Sequence, residues 1–291
     1  MAKAKIGVIG GSGLYKMEEL KRVKEVEIDT PFGKPSDVIV TGTLDDVGIA
    51  FLPRHGRGHR LSPSEVPYRA NIYAMKSLGV EWLISVNAVG GLKFKMKPGN
   101  LVMPDQIIDR TYNREASFFG EGIVAHIPFA DPFCPVLSQI LFKSAVRLGA
   151  EAHPKGTCVV IEGPAFSTRA ESKLYRSWDA DIVGMTFSPE ARLAREAEIC
   201  YAGIAGVSDY DSWQDQAEPL SVDVILETLR KNVDVIQKII KLSIAWLPPE
   251  RDCECTRAMK TAVATDSKLI PAGQKKKLEL LIGKYIKGAK P

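Results

Sequence analysis

The sequence predicts an α/β protein: a single-domain, three-layer sandwich in which helices flank a mixed central β-sheet. Two observations predict this class. Short apolar segments and amphipathic segments alternate along most of the 291 residues, which is the order that α/β proteins follow. The short segments are also apolar throughout, as is typical of strands covered on both faces. Because no linker, low-complexity tract or internal repeat divides the chain, we expect one domain.

The predicted strands come from runs of apolar or β-branched residues. The first spans residues 6–9 and ends at the glycine-rich segment Gly10-Gly11-Ser12-Gly13. The others span residues 48–52, 82–86, 101–103, 157–161, 182–184 and 201–207.

The predicted helices have apolar residues three and four positions apart, which is the spacing of one helix face. The fourth of them has clear ends, because Ser221 with Asp223 favours a helix start and Pro248-Pro249 stops it. The five helices span residues 68–78, 136–148, 189–197, 221–247 and 275–286.

The composition excludes several classes of protein. Hydrophobic residues make up 45% and charged residues 25%, which excludes disordered, collagenous and disulfide-scaffold proteins. The excess of 39 basic over 35 acidic residues, +4, is too small to imply a nucleic acid or a membrane as the main partner, but it permits small anionic ligands. No apolar run approaches the roughly 18 residues of a membrane span. Five cysteines, an odd number, do not suggest a secreted framework, so we expect a cytoplasmic protein.

Two segments that follow predicted strands are suited to binding an anion. The backbone amides of residues 10–13 and the Ser12 hydroxyl could cradle a phosphate, although a tight strand-to-helix turn explains the same glycines. Lys16 stands where the dinucleotide fingerprint needs its third glycine. Residues 53–60 hold three arginines and two histidines, which suit phosphate better than a metal; a solvated or RNA-facing loop is the alternative.

Three further segments follow predicted strands, where α/β enzymes place their ligands. Asp209 and Asp211 come after residues 201–207 and could protonate or hydrogen-bond a basic ring nitrogen, or else form a helix-capping turn. Phe166 could stack on a base, or could belong to the core. Met185 offers an apolar face beside the Thr186 hydroxyl.

Several separated motifs give a more specific indication. IGVIGGSGLY, DTPFGKPSD, PRHGRGH, NAVGGL, HIPFADPFCP, IEGPAFSTRAES, GMTFSPEA and SDYDSW occur in this order between about residues 5 and 229. Together they resemble the trimeric nucleoside phosphorylase family. The resemblance implies a pentosyltransferase that cleaves a purine nucleoside with inorganic phosphate, in purine and methionine salvage. It implies no metal and no organic cofactor, since phosphate is a co-substrate.

The resemblance also implies roles for individual residues. Phosphate is expected at Arg54 and His55, and at Ser12, Asn87, Ala88 and Thr186, although many animal members have threonine at the position of Asn87. Phe166 and Ser167 are expected beside the purine, with Ser167 counted among the catalytic residues, and Asp209 is expected at N7 and the 6-substituent, with Asp211 near it. Relatives that prefer 6-oxopurines carry Asn and Glu at the positions of Asp209 and Ser167, so an adenine nucleoside is expected here.

The remaining substrate contacts expected from the resemblance concern the sugar. Met185 would pack against the ribose, Val222 and Ile225 would receive a 5′-methylthio group, and His126 would come from the neighbouring subunit. The expected assembly is a homotrimer, or a dimer of trimers, and the expected substrate is 5′-methylthioadenosine. Alternatives are a 6-oxopurine nucleoside or methylthioinosine phosphorylase and, more distantly, a non-catalytic anion-binding or RNA-binding protein.

The C-terminal region, from about residue 250 to 291, matches the family less well and is expected to extend the single domain. Cys253-Glu254-Cys255 resembles a motif that can oxidise in some thermostable members, and Cys134 and Cys200 stand at positions that could pair. Reduced thiols are the alternative.

Overall fold

A computed structural model of the protein describes residues 4–11, 13–14, 17–214 and 222–286, and for residues 222–232 it describes the backbone only. Eleven strands in this part of the chain form one sheet, in which β5 is central. The strands are β1 (Ile6–Gly10), β2 (Lys21–Val26), β3 (Ile39–Leu44), β4 (Val47–Pro53), β5 (Trp82–Gly91), β6 (Leu101–Val102), β7 (Gln106–Arg110), β8 (Ala152–His153), β9 (Thr157–Ile161), β10 (Ile182–Gly184) and β11 (Cys200–Tyr210).

The pairing of β5 positions the polar segments that follow the strands. Its first half lies between β1 and β11, and both of these neighbours are parallel to it. Its last two residues pair with β10, which is antiparallel. Both orientations therefore occur in one sheet, and the mixed sheet predicted from the sequence is confirmed.

Helices cover both faces of this sheet, and each face has its own apolar layer. The helices are α1 (Tyr68–Ser77), α2 (Pro135–Arg147), α3 (Arg169–Ser177), α4 (Phe187–Glu196), α5 (Val222–Trp246), α6 (Ala272–Lys277) and α7 (Glu279–Ile282), with a short 3-10 helix at Glu254–Arg257. Ile72 of α1 and Leu193 of α4 belong to one buried cluster, whereas Leu141 of α2 and Ile240 of α5 belong to the other. The predicted three-layer sandwich is confirmed. None of the helices in the described ranges has the length and apolar character needed to cross a membrane.

The sequence prediction missed α3 and four strands, β2, β3, β7 and β8, although β3 is largely buried. β2 lies at the edge of the sheet and exposes most of its residues, so its charged sequence shows no continuous apolar run. β8 has only two residues. α3 begins with a capping box in which the Thr168 side chain accepts from the Glu171 amide, and the Thr-x-x-Glu pattern could have indicated it. The predicted helix over 275–286 is replaced by α6 and α7, which meet at Leu278.

Candidate active site

Asn87 and Thr186 meet beside β5. Because β10 runs antiparallel to β5, the chain leaving β10 passes back along β5 and brings Thr186 to Asn87. The Thr186 hydroxyl donates to Asn87 Oδ1 at 2.6 Å, and Asn87 Nδ2 donates to Ser85 Oγ at 2.9 Å. An amide nitrogen carries two hydrogens, so one N–H of Asn87 has no acceptor within the described ranges. Ala88 follows on the same strand and is only half-buried.

Arg54 follows β4 and lies in a buried ionic network. Its Nε donates to Glu190 Oε1 at 2.6 Å and its Nη2 donates to Glu190 Oε2 at 3.1 Å. Nη2 also donates to Ser85 Oγ at 2.7 Å, and the Tyr201 hydroxyl donates to Glu190 Oε2 at 2.9 Å. Nη1 donates to the carbonyl of Val86, which leaves one further Nη1 hydrogen without an acceptor in the described part of the chain. Glu190 therefore compensates the buried charge of Arg54.

His55 is a neutral side chain that can accept a hydrogen bond. Burial, together with the nearby Arg54 charge, lowers the pKa of His55 to about 4. Its Nδ1 lies 2.9 Å from the carbonyl oxygen of Leu61, which can only accept, so Nδ1 carries the proton. The ring stacks on His59 with 4.4 Å between centroids. Nε2 is therefore an acceptor near neutral pH, suited to a protonated phosphate oxygen.

The glycine-rich segment after β1 is tightly packed at its start. A Cβ at Gly10 would lie 2.6 Å from Leu14 Cδ1 and 3.3 Å from the Val86 carbonyl, whereas no atom of the described residues lies within 4 Å of a Cβ at Gly11. The carbonyl of Gly10 accepts from the Arg54 amide at 3.0 Å, so this segment lies beside the arginine network. Ser12, a predicted phosphate ligand, lies outside the described residues.

Asp209 and Asp211 end β11 next to the carboxyl end of β5. The pairing of the two strands shifts between Val207 and Asp209, so Ser208 is an extra residue and Asp209 faces Gly90. Burial, together with the Asp211 charge, raises the pKa of Asp209 to about 6. The Ser208 hydroxyl, which donates to Asp209 Oδ1 at 2.5 Å, opposes this shift. Burial also raises the pKa of Asp211. A substantial fraction of Asp209 is therefore protonated just below neutral pH.

The segment after β9 places Ser167 against this carboxylate pair. The Ser212 hydroxyl donates to the Ser167 carbonyl at 2.8 Å, which joins the two segments. The Ser167 and Ser172 hydroxyls lie close enough to Asp211 to lower its pKa, but neither meets hydrogen-bond geometry. Ser167 Oγ and Asp211 Oδ2 are buried without a partner in the described structure, as expected for atoms that a ligand would pair. Phe166 is 42% exposed beside them, so the core alternative does not hold.

Met185 is held in place by Arg114, whose side chain is almost fully buried. Arg114 Nη1 donates to the Met185 carbonyl at 2.5 Å and to the Ser188 carbonyl at 2.8 Å, while Nη2 donates to the Glu162 carbonyl at 2.5 Å. The segments after β9 and β10 are thereby tied together. A Cβ at Gly163 would lie 2.6 Å from Met185 Sδ, so this glycine lets the methionine approach.

The predicted contacts to the 5′ side of the substrate are less complete. Val222 and Ile225 lie at the start of α5, where side chains are not described. His126 is exposed at the edge of a cavity of about 420 Å³ that Phe129, Arg192 and Glu196 also line.

Asn87 and Asp209 lie near the same end of β5. Gly90, the partner of Asp209, lies three residues beyond Asn87 on this strand. At about 3.3 Å per residue the backbone positions of Asn87 and Gly90 are therefore about 10 Å apart along the strand.

Three buried residues of this region, Ser85, Arg114 and Glu190, were missed by sequence reasoning. Glu190 is fully buried, although it stands 136 positions from its partner Arg54. A buried arginine requires a compensating carboxylate, so a partner for Arg54 could have been expected, but the sequence does not indicate which carboxylate it is.

Comparisons with known proteins agree with the fold. The chain belongs to the phosphorylase superfamily, whose family model matches residues 5–245. Within it, the chain is 54% identical over 282 residues to S-methyl-5′-thioadenosine phosphorylase of Geobacter sulfurreducens, covering 97% of this chain and 99% of the relative. The enzyme of the same name from Thermosynechococcus vestitus is 52% identical, with coverage of 97% and 99%.

Solved structures give the same result. A methylthioadenosine phosphorylase from an Antarctic soil metagenomic library superimposes with a TM-score of 0.93 at 48% identity, covering 97% of this chain and 99% of that one. A Schistosoma mansoni adenosine/methylthioadenosine phosphorylase mutant, solved in complex with methylthioadenosine, gives a TM-score of 0.80 at 40% identity, with coverage of 86% and 93%. The resemblance stated from the motifs is confirmed.

Proposed function

We propose that the protein catalyses phosphorolysis of S-methyl-5′-thioadenosine to adenine and 5-methylthioribose 1-phosphate. The observation that carries this proposal is that Asn87, which is bonded to Thr186, and Asp209, whose pKa is raised to about 6, lie about 10 Å apart along β5. Relatives about 50% identical over nearly the whole chain carry this activity in their names, which supports the same reaction here.

Phosphate would bind at the Asn87 end. The unused N–H of Asn87, the Thr186 side chain and the Ala88 amide would hold its oxygens, with Ser12 as a further ligand. His55 would accept the phosphate proton through Nε2, and Arg54 would add at most one N–H because Glu190, Ser85 and the Val86 carbonyl accept from the others. A phosphate oxygen held in this way would face the anomeric carbon and stabilise the positive charge that develops on the sugar.

The purine would leave from the Asp209 end. In its protonated form, Asp209 would donate to N7 as electrons move onto the ring, and in its ionised form it would accept from the 6-amino group. Ser167 Oγ and Asp211 Oδ2, which are buried without partners in the described structure, would complete base recognition beside Phe166. An acceptor at Asp209 favours adenine over a 6-oxopurine.

The sugar and its 5′ group would lie against Met185, Val222 and Ile225. An apolar 5′ pocket favours methylthio over hydroxyl by roughly 10–200-fold at most, so adenosine would be a slower substrate. His126 would reach the site of a neighbouring subunit in a homotrimer or a dimer of trimers.

We further propose that residues 1–291 form one domain, with about 250–291 as an extension, in a cytoplasmic protein that binds neither nucleic acid nor membrane. The reaction would require only phosphate as co-substrate.

The decisive experiment measures base release from four nucleosides. Purified protein is incubated with methylthioadenosine, methylthioinosine, adenosine or inosine, each with and without phosphate, and the free base is quantified. We expect fast, phosphate-dependent release of adenine from methylthioadenosine and slower release from adenosine. Preference for the 6-oxo nucleosides would refute the role of Asp209 and Ser167 in base choice. Salt-sensitive RNA binding without turnover would refute the proposal that the protein is an enzyme.

A further inference from the structure

Four of the five cysteines meet at one buried point of the molecule. Cys134 precedes α2, Cys200 begins β11, and Cys253 and Cys255 flank the start of the 3-10 helix after α5. All four are at most 7% exposed, and their sulfur atoms all lie within 4.8 Å of one another. The cluster brings together residues separated by up to 121 positions in the sequence, from Cys134 to Cys255.

The spacing of the sulfurs fits a tetrahedral metal better than disulfides. Cys200 Sγ lies 3.3 Å from Cys253 Sγ, and Cys134 Sγ lies 3.9 Å from the same atom. In a disulfide the two sulfurs are about 2.05 Å apart. Around a zinc ion with Zn–S bonds of about 2.3 Å, the sulfurs of a regular tetrahedron are about 3.8 Å apart. The two measured distances lie on either side of that value.

We propose that Cys134, Cys200, Cys253 and Cys255 form a four-thiolate binding site for one zinc ion per chain. A buried site made only of sulfur selects a soft or borderline-soft cation over magnesium or calcium. Binding would release the thiol protons, because the ligands coordinate as thiolates. The prediction that the protein needs no metal concerned the reaction, and this site lies outside the residues proposed for it.

The surroundings of the cluster favour negative charge. A zinc ion with four thiolates carries a net charge of −2, and Arg251 Nη1 lies 3.9 Å from Cys200 Sγ. The fifth cysteine, Cys158, lies outside the cluster.

The position of the site indicates a structural role. Zinc sites with four protein ligands have no open position for a substrate. Cys200 lies at the amino end of β11, whereas Asp209 and Asp211 lie near the other end of the same strand. The metal would fasten the chain after α5 to the starts of α2 and β11, and would therefore stabilise the fold without taking part in phosphorolysis.

The test begins with the metal content of the wild-type protein, expressed with zinc and purified without a metal-affinity tag or chelator. We expect one zinc per chain by elemental analysis, four sulfur neighbours at about 2.3 Å by zinc X-ray absorption, and five alkylatable thiols after denaturation with chelator. A Cys253→Ser/Cys255→Ser variant should lose the metal, while Cys158→Ala should retain it.

Further measurements distinguish a structural zinc site from a catalytic one, and a zinc site from free thiols, disulfides or an iron site. Removing the zinc should lower Tm by about 10 °C or more, and turnover per folded enzyme at low temperature should remain within twofold. Metal-free protein with five free thiols would overturn the proposal, as would a single alkylatable thiol, which is what two disulfides among the four clustered cysteines would leave. Iron in place of zinc would overturn the assignment of the metal. Because metal content is measured without substrate, the result does not depend on the proposed reaction.

Discussion

The two ends of β11 differ in how their polar groups are satisfied. At the amino end, Cys200 lies in a closed group of four thiols that contact one another. Near the carboxyl end, a bulge places Asp209 opposite Gly90, and two buried polar atoms, Ser167 Oγ and Asp211 Oδ2, lack partners within the described ranges. One strand thus connects a self-contained cluster with a site whose hydrogen-bonding groups are left open.

This difference indicates that the amino end of β11 contributes to stability and the carboxyl end to ligand binding. A buried polar atom without a partner costs about 1–3 kcal/mol, and such atoms become useful only when a ligand pairs them. The thiol cluster needs no ligand other than the proposed metal, so its contribution is to hold the fold. We therefore expect substitutions near the carboxyl end to change kinetics more than stability, and substitutions at the amino end to do the reverse.

The largest expected kinetic effect follows from replacing Asp209 with asparagine. Asp209→Asn removes the proton that would be donated to N7, and we expect kcat for methylthioadenosine to fall about 100-fold or more. The measurement is adenine release at saturating phosphate. The matched control is Asp181→Asn, which changes another buried aspartate, one paired with Lys93 at 3.0 Å outside the site, and should keep near-normal turnover.

The pH profile sharpens this test. If the protonated form of Asp209 is the active one, kcat/KM of the wild type should decline above about pH 6, because burial raises the pKa of Asp209 to about 6. The asparagine variant should lack that decline. Normal turnover in Asp209→Asn, or an unchanged decline above pH 6, would remove Asp209 from the role of acid.

A second, smaller effect should appear at the phosphate end. Asn87→Ala removes the free N–H and the acceptor of the Thr186 hydroxyl, and a hydrogen bond to a charged group contributes about 1.5–3 kcal/mol. We expect KM for phosphate to rise about tenfold or more, with little change in KM for the nucleoside. Asn71→Ala is the control, since Asn71 is fully buried against Ser36 and should affect stability alone. An equal rise of both KM values would place Asn87 outside the phosphate site.

The fold was predictable where the sequence carries a continuous physical signal. β9 and β10 have the predicted bounds because they are buried, uniformly apolar and flanked by polar turns. β2 left no such signal, because an edge strand is stabilised by its backbone pairing with β3 while its side chains face solvent. Its assignment depends on the neighbouring strand, which local sequence cannot indicate.

The site was predictable in its residue types but not in its pairings. Asn87 and Thr186 stand 99 positions apart, and they meet only because β10 is antiparallel to β5. No local pattern encodes that orientation, so the motifs of the family were needed to group them. The pairing of Arg54 with Glu190 was likewise not predictable from local sequence, and it leaves Arg54 fewer N–H groups for the anion that it was predicted to bind.

A third substitution addresses the 5′ group of the nucleoside. Val222→Ala with Ile225→Ala enlarges the proposed methylthio pocket, and each lost contact in an apolar pocket changes specificity by about 1–3 kcal/mol. We expect the ratio of kcat/KM for methylthioadenosine to that for adenosine to fall by about tenfold. Ile239→Ala, further along α5 in the buried core, should lower Tm and leave the ratio unchanged. An unchanged ratio in the double variant would refute the pocket assignment.

The smallest expected effect concerns stability, and its sign is opposite to the effect on activity. The pKa of Asp209 is raised from 3.8 to about 6 in the folded protein, mainly by burial. The favourable contribution of its protonated form is therefore complete below about pH 4 and is lost as the pH rises through 6. Since asparagine is uncharged throughout, Asp209→Asn should raise Tm by about 2–5 °C at pH 8 and leave it nearly unchanged at pH 4. Calorimetry at the two pH values measures this difference. A lower Tm for the variant at pH 8 would mean that the ionised carboxylate is stabilised by its surroundings. In that case the carboxyl end of β11 would not be destabilised by the groups proposed to bind the ligand.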